Sequence, residues 1–473
     1  DHLAESGNVI YLGVVKFPAK AADPLPDPLV VTLGEAGAST IGTAPFLLHM
    51  PWFEEINNDR DIIFFDQRGA EATAPSLPCT GYGEARRQAL ASGRFAEDAA
   101  VLTAGAIAGC AAEAASKGWD LNHFNSLQNA ADVYEIRRAM GYDLINFYGD
   151  SYGTTLGQHL MRDYPEILRS VTLDGIDPLA NNRGLDAGPN NQAALDAFIT
   201  ACAADAACSQ LYPDLETTIT DLYQALQDNA AIVSAIDYQS GQTTELPLDG
   251  DMMASILFEK MANAANFPAL LQGVQAAVSG DTTYFTDNLG TTLDMAGVDA
   301  LAHFAVICAE DAGFTLADAR LEDVSPLAAN YGFIEVSQVL AICEQLDLTP
   351  LTEFASNPVV SDLPLLLFSG SLDPRTPPAE LGLMLPDLSG ASSFVVPNGA
   401  HGQLLSGGEC VAGIFSQFLN DPAAEPDGSC LQEGAAAFSV LEGGQTAIPK
   451  GSGETGSEAD NEAVCTATSP GGV

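Results

Sequence analysis

Basic side chains are scarce in this 473-residue chain: 17 Lys and Arg stand against 63 Asp and Glu, a net charge of −46. So few cations cannot neutralise a run of phosphates, which excludes a nucleic-acid partner. An anionic membrane surface repels the chain for the same reason. Other features are missing as well. There is no C-x-x-C pair and no His at zinc-ligand spacing from a Cys, which argues against a metal site. No Gly-rich phosphate loop appears, so no cofactor is implied. No uninterrupted apolar run reads as long enough to span a bilayer.

Disorder is excluded too, because hydrophobic residues make up 47% of a chain long enough to bury a large core. The length suits two to three domains, or one large domain with an insertion. Only five lysines remain, Lys16, Lys20, Lys117, Lys260 and Lys450. Replacing surface Lys by Asp and Glu is what adaptation to high salt produces, and an acidic secreted protein from an ordinary habitat reads the same way. Eight of the nine cysteines fall in local pairs: Cys79 with Cys110, Cys202 with Cys208, Cys308 with Cys343, and Cys410 with Cys430. Proximity favours disulfides but leaves the connectivity open; Cys465 is left over. Four bridges would require an oxidising compartment, either periplasmic or extracellular. A first residue of Asp1 rather than Met is what removal of a leader would leave.

Short apolar runs bounded by turn residues predict buried strands at Val30–Leu33, Asp61–Asp66, Asp143–Tyr148, Ser170–Leu173, Leu363–Phe368 and Ser393–Val396. Helical periodicity between them, as in Leu127–Met140, predicts an α/β fold with a mostly parallel sheet. From residue 181 to 354 the pattern is mainly helical. The chain therefore divides into a first core part (1–180), a helical cap or lid (181–354), a second core part (355–441) and a flexible tail (442–473) whose composition shifts to Gly, Ser, Thr and Glu.

The sharpest motif is Gly149-Asp150-Ser151-Tyr152-Gly153, a G-x-S-x-G sequence between a predicted strand and a predicted helix. That context marks a nucleophile elbow, in which small residues let the strand and helix approach around a strained serine. A nucleophilic serine needs a base, and the base needs an orienting carboxylate. Of six histidines, His2 lies in a terminus, and His49, His123, His159 and His303 suit structural roles. His401 stands in a Gly-rich loop after the last predicted strand, Pro397-Asn398-Gly399-Ala400-His401-Gly402. Asp373 follows the Leu363–Phe368 strand. The order Ser151, Asp373, His401 is that of the α/β-hydrolase triad. Oxyanion-hole N–H groups are expected from Tyr152 and from the loop after the first predicted strand, at Gly34 and Glu35.

Beyond these, the chain carries Asp66-Gln67-Arg68-Gly69, the elbow GDSYGTTLGQHL and Leu173-Asp174-Gly175. It also carries Ile307-Cys308-Ala309-Glu310-Asp311 and Leu372-Asp373-Pro374-Arg375-Thr376-Pro377. Together these resemble the α/β-hydrolase peptidase family of proline iminopeptidases, in particular its secreted tripeptidyl-aminopeptidase-like branch, over residues 9 to 432. The resemblance implies an α/β-hydrolase fold with an inserted helical cap. It also implies Ser151, Asp373 and His401 as catalytic residues, and bridges between the paired cysteines. Glu310, with Asp311 beside it, is the implied carboxylate for a substrate's α-amino group. Arg68 is expected to be structural or to brace the oxyanion loop. The family's Gly-Gly-Pro-Gly loop is altered here, with Glu35 for the second Gly and Ala36 for the Pro, which puts charge or bulk beside the acyl site. The expected function is a secreted or periplasmic serine hydrolase acting on small substrates, first of all an aminopeptidase on peptides with free N-termini. A carboxylic-ester hydrolase is the alternative, and a non-catalytic hydrolase-like binding protein is the third reading.

Overall fold

The computed structural model describes residues 8–433 apart from 183, 237–240, 296, 312 and 407. The tail expected over 442–473, together with Cys465 and His2, lies outside the described residues.

Seven strands form the main sheet in the order β1-β3-β2-β4-β5-β8-β9. They are β1 (Val14–Phe17), β2 (Leu29–Thr32), β3 (Ile62–Phe65), β4 (Ile145–Asp150), β5 (Leu168–Asp174), β8 (Leu365–Gly370) and β9 (Ala391–Val396). β1 runs antiparallel to β3, and every other pairing is parallel. β2, β3, β4 and β8 are buried on both faces, which is why each reads as a continuous apolar run rather than an alternation. Alternate residues serve opposite cores. Val30, Ile63, Phe147 and Leu367 pack with Val133, Leu156 and Leu160 from the helices Ser126–Met140 and Tyr152–Asp163. Val31, Phe64, Tyr148 and Phe368 pack with Trp52, Phe53 and Phe415 on the other face. Each of these large side chains contributes about 1.5–3 kcal/mol by leaving water.

The short β1 was not foreseen from the sequence; its half-exposed, edge-strand pattern resembles loop. Between β5 and β8 the chain is helical apart from one antiparallel hairpin, β6 (Ala231–Ile236) with β7 (Thr243–Leu248). Its helices build a third core that also takes in Leu372 and Ala400, next to two predicted site residues. The helices Gly81–Ala91 and Phe95–Ser116, which precede the elbow in sequence, join this helical layer through Ala89, Leu90, Phe95 and Ala99.

The Phe95–Ser116 helix is long and apolar enough, by length and composition alone, to cross a membrane. This corrects the expectation that no segment qualifies. Glu97, Asp98 and Glu113 interrupt its apolar run, but only near its ends. Here its Ala104 and Ile107 pack with Phe304 and Ile342. All four expected cysteine pairs are bonded: Cys79–Cys110, Cys202–Cys208, Cys308–Cys343 and Cys410–Cys430.

Candidate functional site

β4 ends in the sheet's interior and turns sharply at Ser151, whose φ of 57° is rare for a residue with a side chain. Glycines make the turn possible. A Cβ on Gly149 would lie 2.1 Å from the Gly153 carbonyl oxygen, and one on Gly153 would lie 2.7 Å from that of Thr32. The Ser151 N–H is held by the Asp174 carbonyl at 2.9 Å. The Tyr152–Asp163 helix begins at once, directing its N-terminal N–H groups past the serine. Ser151 and Tyr152 line a cavity of about 740 Å³. Loops at the sheet's end form part of its wall, and residues such as Phe258, Tyr331 and Glu335 of the helical layer close it.

Asp373 and His401 meet as the sequence order suggested. His401 Nδ1 lies 2.8 Å from Asp373 Oδ2. Asp373 also accepts from the Arg375 and Thr376 N–H groups at 2.8 and 3.0 Å and from Thr376 Oγ1 at 2.8 Å. Burial alone would push Asp373 up, but His401 and these N–H donors outweigh it and hold the carboxyl below its usual range. Burial likewise works against a charged His401. The charges of Asp373 and then Asp150 override it and raise the imidazole to about 9. His401 Nε2 is buried with no hydrogen-bond partner among the described residues. One imidazole nitrogen is thus fixed on a carboxylate while the other is left open.

The loop that presents His401 is anchored by the acid of the Leu173-Asp174-Gly175 motif. Asp174, at the end of β5, accepts from the Gln403 and Leu404 N–H groups at 2.8 Å each. Burial and the neighbouring Asp150 charge raise Asp174 to about 7. Gly175 follows with φ of 65°, and a Cβ there would come within 2.8 Å of His401 Cε1. The Leu173-Asp174-Gly175 motif therefore holds the loop with its acid and makes room for the imidazole with its glycine. The His401 N–H itself donates to the Ala262 carbonyl of the helical layer at 3.1 Å.

At the expected oxyanion loop, the three named residues differ. The Gly34 N–H lies near enough to the Asp150 carboxyl to offset part of the upward push of burial there. Glu35 lines the cavity and pairs with Arg375 Nη1 at 2.7 Å, so its charge is matched from the Asp373 loop. Tyr152 sends its hydroxyl away to Ser126 Oγ at 2.6 Å and Asn129 Nδ2 at 3.0 Å. His303, set aside as structural, contacts the loop through Nδ1 and the Ala36 carbonyl at 3.3 Å. The Asp66-Gln67-Arg68-Gly69 motif divides its work. Asp66 accepts from Ser39 Oγ and the Ile41 N–H, and Gln67 from the Gly37 N–H, which brace the loop. Arg68 instead grips Asp132 through two nitrogens at 2.8 and 2.6 Å.

Glu310 and Asp311 are placed apart from this cavity. Glu310 is 3% exposed and accepts from the Ser126 N–H at 2.6 Å and from Ser126 Oγ at 2.9 Å, behind the Tyr152 hydroxyl. Asp311 is buried, and its carbonyl accepts from Asn182 Nδ2 at 2.9 Å. Both line a separate pocket too small for a substrate. No group of three or more potential metal ligands occurs among the described residues.

Residues 331–430, which include Asp373 and His401, match the family model of TAP-like proteins within the α/β-hydrolase class. Over 450 residues the chain is 23% identical to the serine protease Hip1 of Mycobacterium tuberculosis, and equally to that of Mycobacterium bovis, covering 91% of this chain and 85% of theirs. Among solved structures it is similar to proline iminopeptidase from Mycobacterium smegmatis, at 14% identity and a TM-score of 0.38, over 87% of this chain and 95% of that one. A thermophilic esterase from Thermogutta terrifontis is similar at 12% identity and a TM-score of 0.40, over 88% and 95%. With its mostly parallel sheet and its similarity along nearly the whole length to Hip1, the chain is a serine hydrolase of the α/β-hydrolase fold, similar over residues 331–430 to the TAP-like proteins.

Proposed function

We propose that the protein cleaves peptides by acyl transfer from Ser151, acting from a free N-terminus as an aminopeptidase. Ser151 Oγ attacks the scissile carbonyl while His401 Nε2 takes its proton, and Asp373 balances the imidazolium that forms. Backbone N–H groups of Tyr152 and Glu35 hold the oxyanion. His401 then protonates the leaving amine, and water releases the acyl group by the same steps in reverse. The observation that carries this reading is the imidazole at the sheet's end, bonded to Asp373 on one nitrogen and open on the other. Residues 181–354 act as a cap that closes the cavity, assisted by the Gly81–Ser116 helices. Four disulfides support a periplasmic or secreted location.

Ester hydrolysis is the second reading. Glu35 puts a carboxylate on the wall of the cavity that holds Ser151, and an ester leaving group needs less protonation help than an amine, so ester turnover tolerates the altered loop better. Ser151→Ala should abolish labelling by a fluorophosphonate probe and lower kcat by about 10⁴-fold or more. A parent protein that takes no label would leave only the binding-protein reading. Tripeptidyl anilides assayed beside short nitrophenyl esters separate the first two: turnover of esters alone removes the peptidase assignment.

A further inference from the structure

The cavity beside Ser151 holds a carboxylate that acyl transfer does not use. Glu380 lies in the first turn of the Pro378–Met384 helix, in the segment that begins at Asp373, and lines the same cavity as Ser151. It is 7% exposed. Its Oε1 accepts from Asn190 Nδ2 at 2.7 Å, and the same amide donates to the Arg375 carbonyl at 3.2 Å, which fixes the orientation of the carboxyl. Its Oε2 is buried with no hydrogen-bond partner. Asp177 and Asp186 line the cavity as well and add negative charge around it. No cationic side chain is paired with Glu380 among the described residues. Arg375 faces Glu35, and Arg86 faces Tyr82 and Glu335.

We propose that Glu380, oriented by Asn190, is the carboxylate that receives the free α-ammonium group of a peptide substrate. The proposal rests on the aminopeptidase reading and moves amine recognition from Glu310 to the cavity wall. An ammonium brings three donors and a positive charge, the two things Oε2 lacks. A buried carboxylate without a counter-charge is costly, so the group holds a proton until a cation arrives. Burial first, and Asp177 next, push Glu380 up to about 9. An incoming ammonium offsets both causes, and the proton leaves to water. A peptide acetylated at its amino end brings no charge and leaves Oε2 as it was. The cavity volume is of the size that encloses a ligand of a few residues.

The test uses a tripeptidyl anilide with a free amino group, its N-acetylated counterpart and a nitrophenyl ester, on the parent protein and Glu380→Gln. The parent should prefer the free amine. In Glu380→Gln, kcat/KM on the free amine should fall about 10- to 100-fold through KM, the scale of a lost charge-assisted bond. The acetylated peptide, the ester and fluorophosphonate labelling should be unchanged. The variant should remain folded. A carboxyl raised in the native state contributes its stability below its unfolded value near 4.5 and loses it as pH climbs toward 9, so removing the acid keeps or raises Tm at pH 8. Should Glu380→Gln fail to fold, Glu380→Met, which fills a similar volume, takes its place with the same expectation. If the parent prefers the free amine and the variant keeps that preference, Glu380 is not the amine site while the aminopeptidase reading stands. If the parent ignores the amino group or cleaves no peptide, both fall.

Discussion

Behind the Tyr152 hydroxyl, Glu310 is enclosed by donors, with Ser126 serving both of its oxygens. At the start of the Pro378–Met384 helix, Glu380 is about as deeply buried, yet one oxygen has only Asn190 and the other has nothing. Both are buried glutamates, and from sequence only Glu310 was expected to meet a substrate's amino group. Saturation separates them. A carboxylate whose lone pairs are filled by the protein has its work inside the protein, where it stiffens the support under Tyr152. One left unfilled on a cavity wall stores a binding site for something from outside.

Truncating the saturated acid tests that contrast most strongly. Glu310→Ala orphans the Ser126 N–H and leaves the Ser126 hydroxyl with Tyr152 alone, so stability should fall by about 1–3 kcal/mol. A calorimetric Tm would register this, while the ratio of activity on free and acetylated peptides should hold. A collapse of that ratio would return amine recognition to Glu310 and dissolve the contrast.

Asp150 lies between the two extremes, with the nearby Gly34 N–H favouring its charged form and Oδ1 without a hydrogen-bond partner among the described residues. Burial raises it, and its negative charge in turn helps raise His401. In the proposed mechanism the free base of His401 is the active form, so kcat/KM should climb as pH rises toward about 9. Removing a nearby negative charge disfavours the imidazolium. Asp150→Asn should therefore move that limb to lower pH by about one unit. A limb that stays in place would mean Asp150 is already protonated in the working enzyme, and its carboxyl would then join the silent ones.

The smallest effect belongs to the pair that solvent already screens. Glu35 and Arg375 bond at 2.7 Å but are 36% and 43% exposed. Glu35→Gln should shift stability by no more than about 1 kcal/mol, and ester turnover should stay within a few-fold of the parent. A large loss would show that the pair fixes the loop that faces the acyl group.

The elbow, Asp373 and His401 were legible because each chemistry is written locally: a strand, a turn that only small residues permit, then a reactive side chain. The sheet was legible for a similar reason, since strands buried on both faces leave continuous apolar runs. β1 and the β6–β7 hairpin were not, because partly exposed strands of four to six residues carry little periodic signal. Nor was the role of Asp174, whose partners Gln403 and Leu404 come from a distant part of the chain. Glu380 was invisible for the deepest reason. Being unpartnered is a property of everything around a group, and no stretch of sequence encodes it.

The bond from the His401 N–H to the Ala262 carbonyl ties the base to the end of the Gly250–Met261 helix. The helical layer thereby supplies part of the fixed frame in which the imidazole sits, so a change that displaces the end of this helix reaches His401 through the backbone rather than through the cavity.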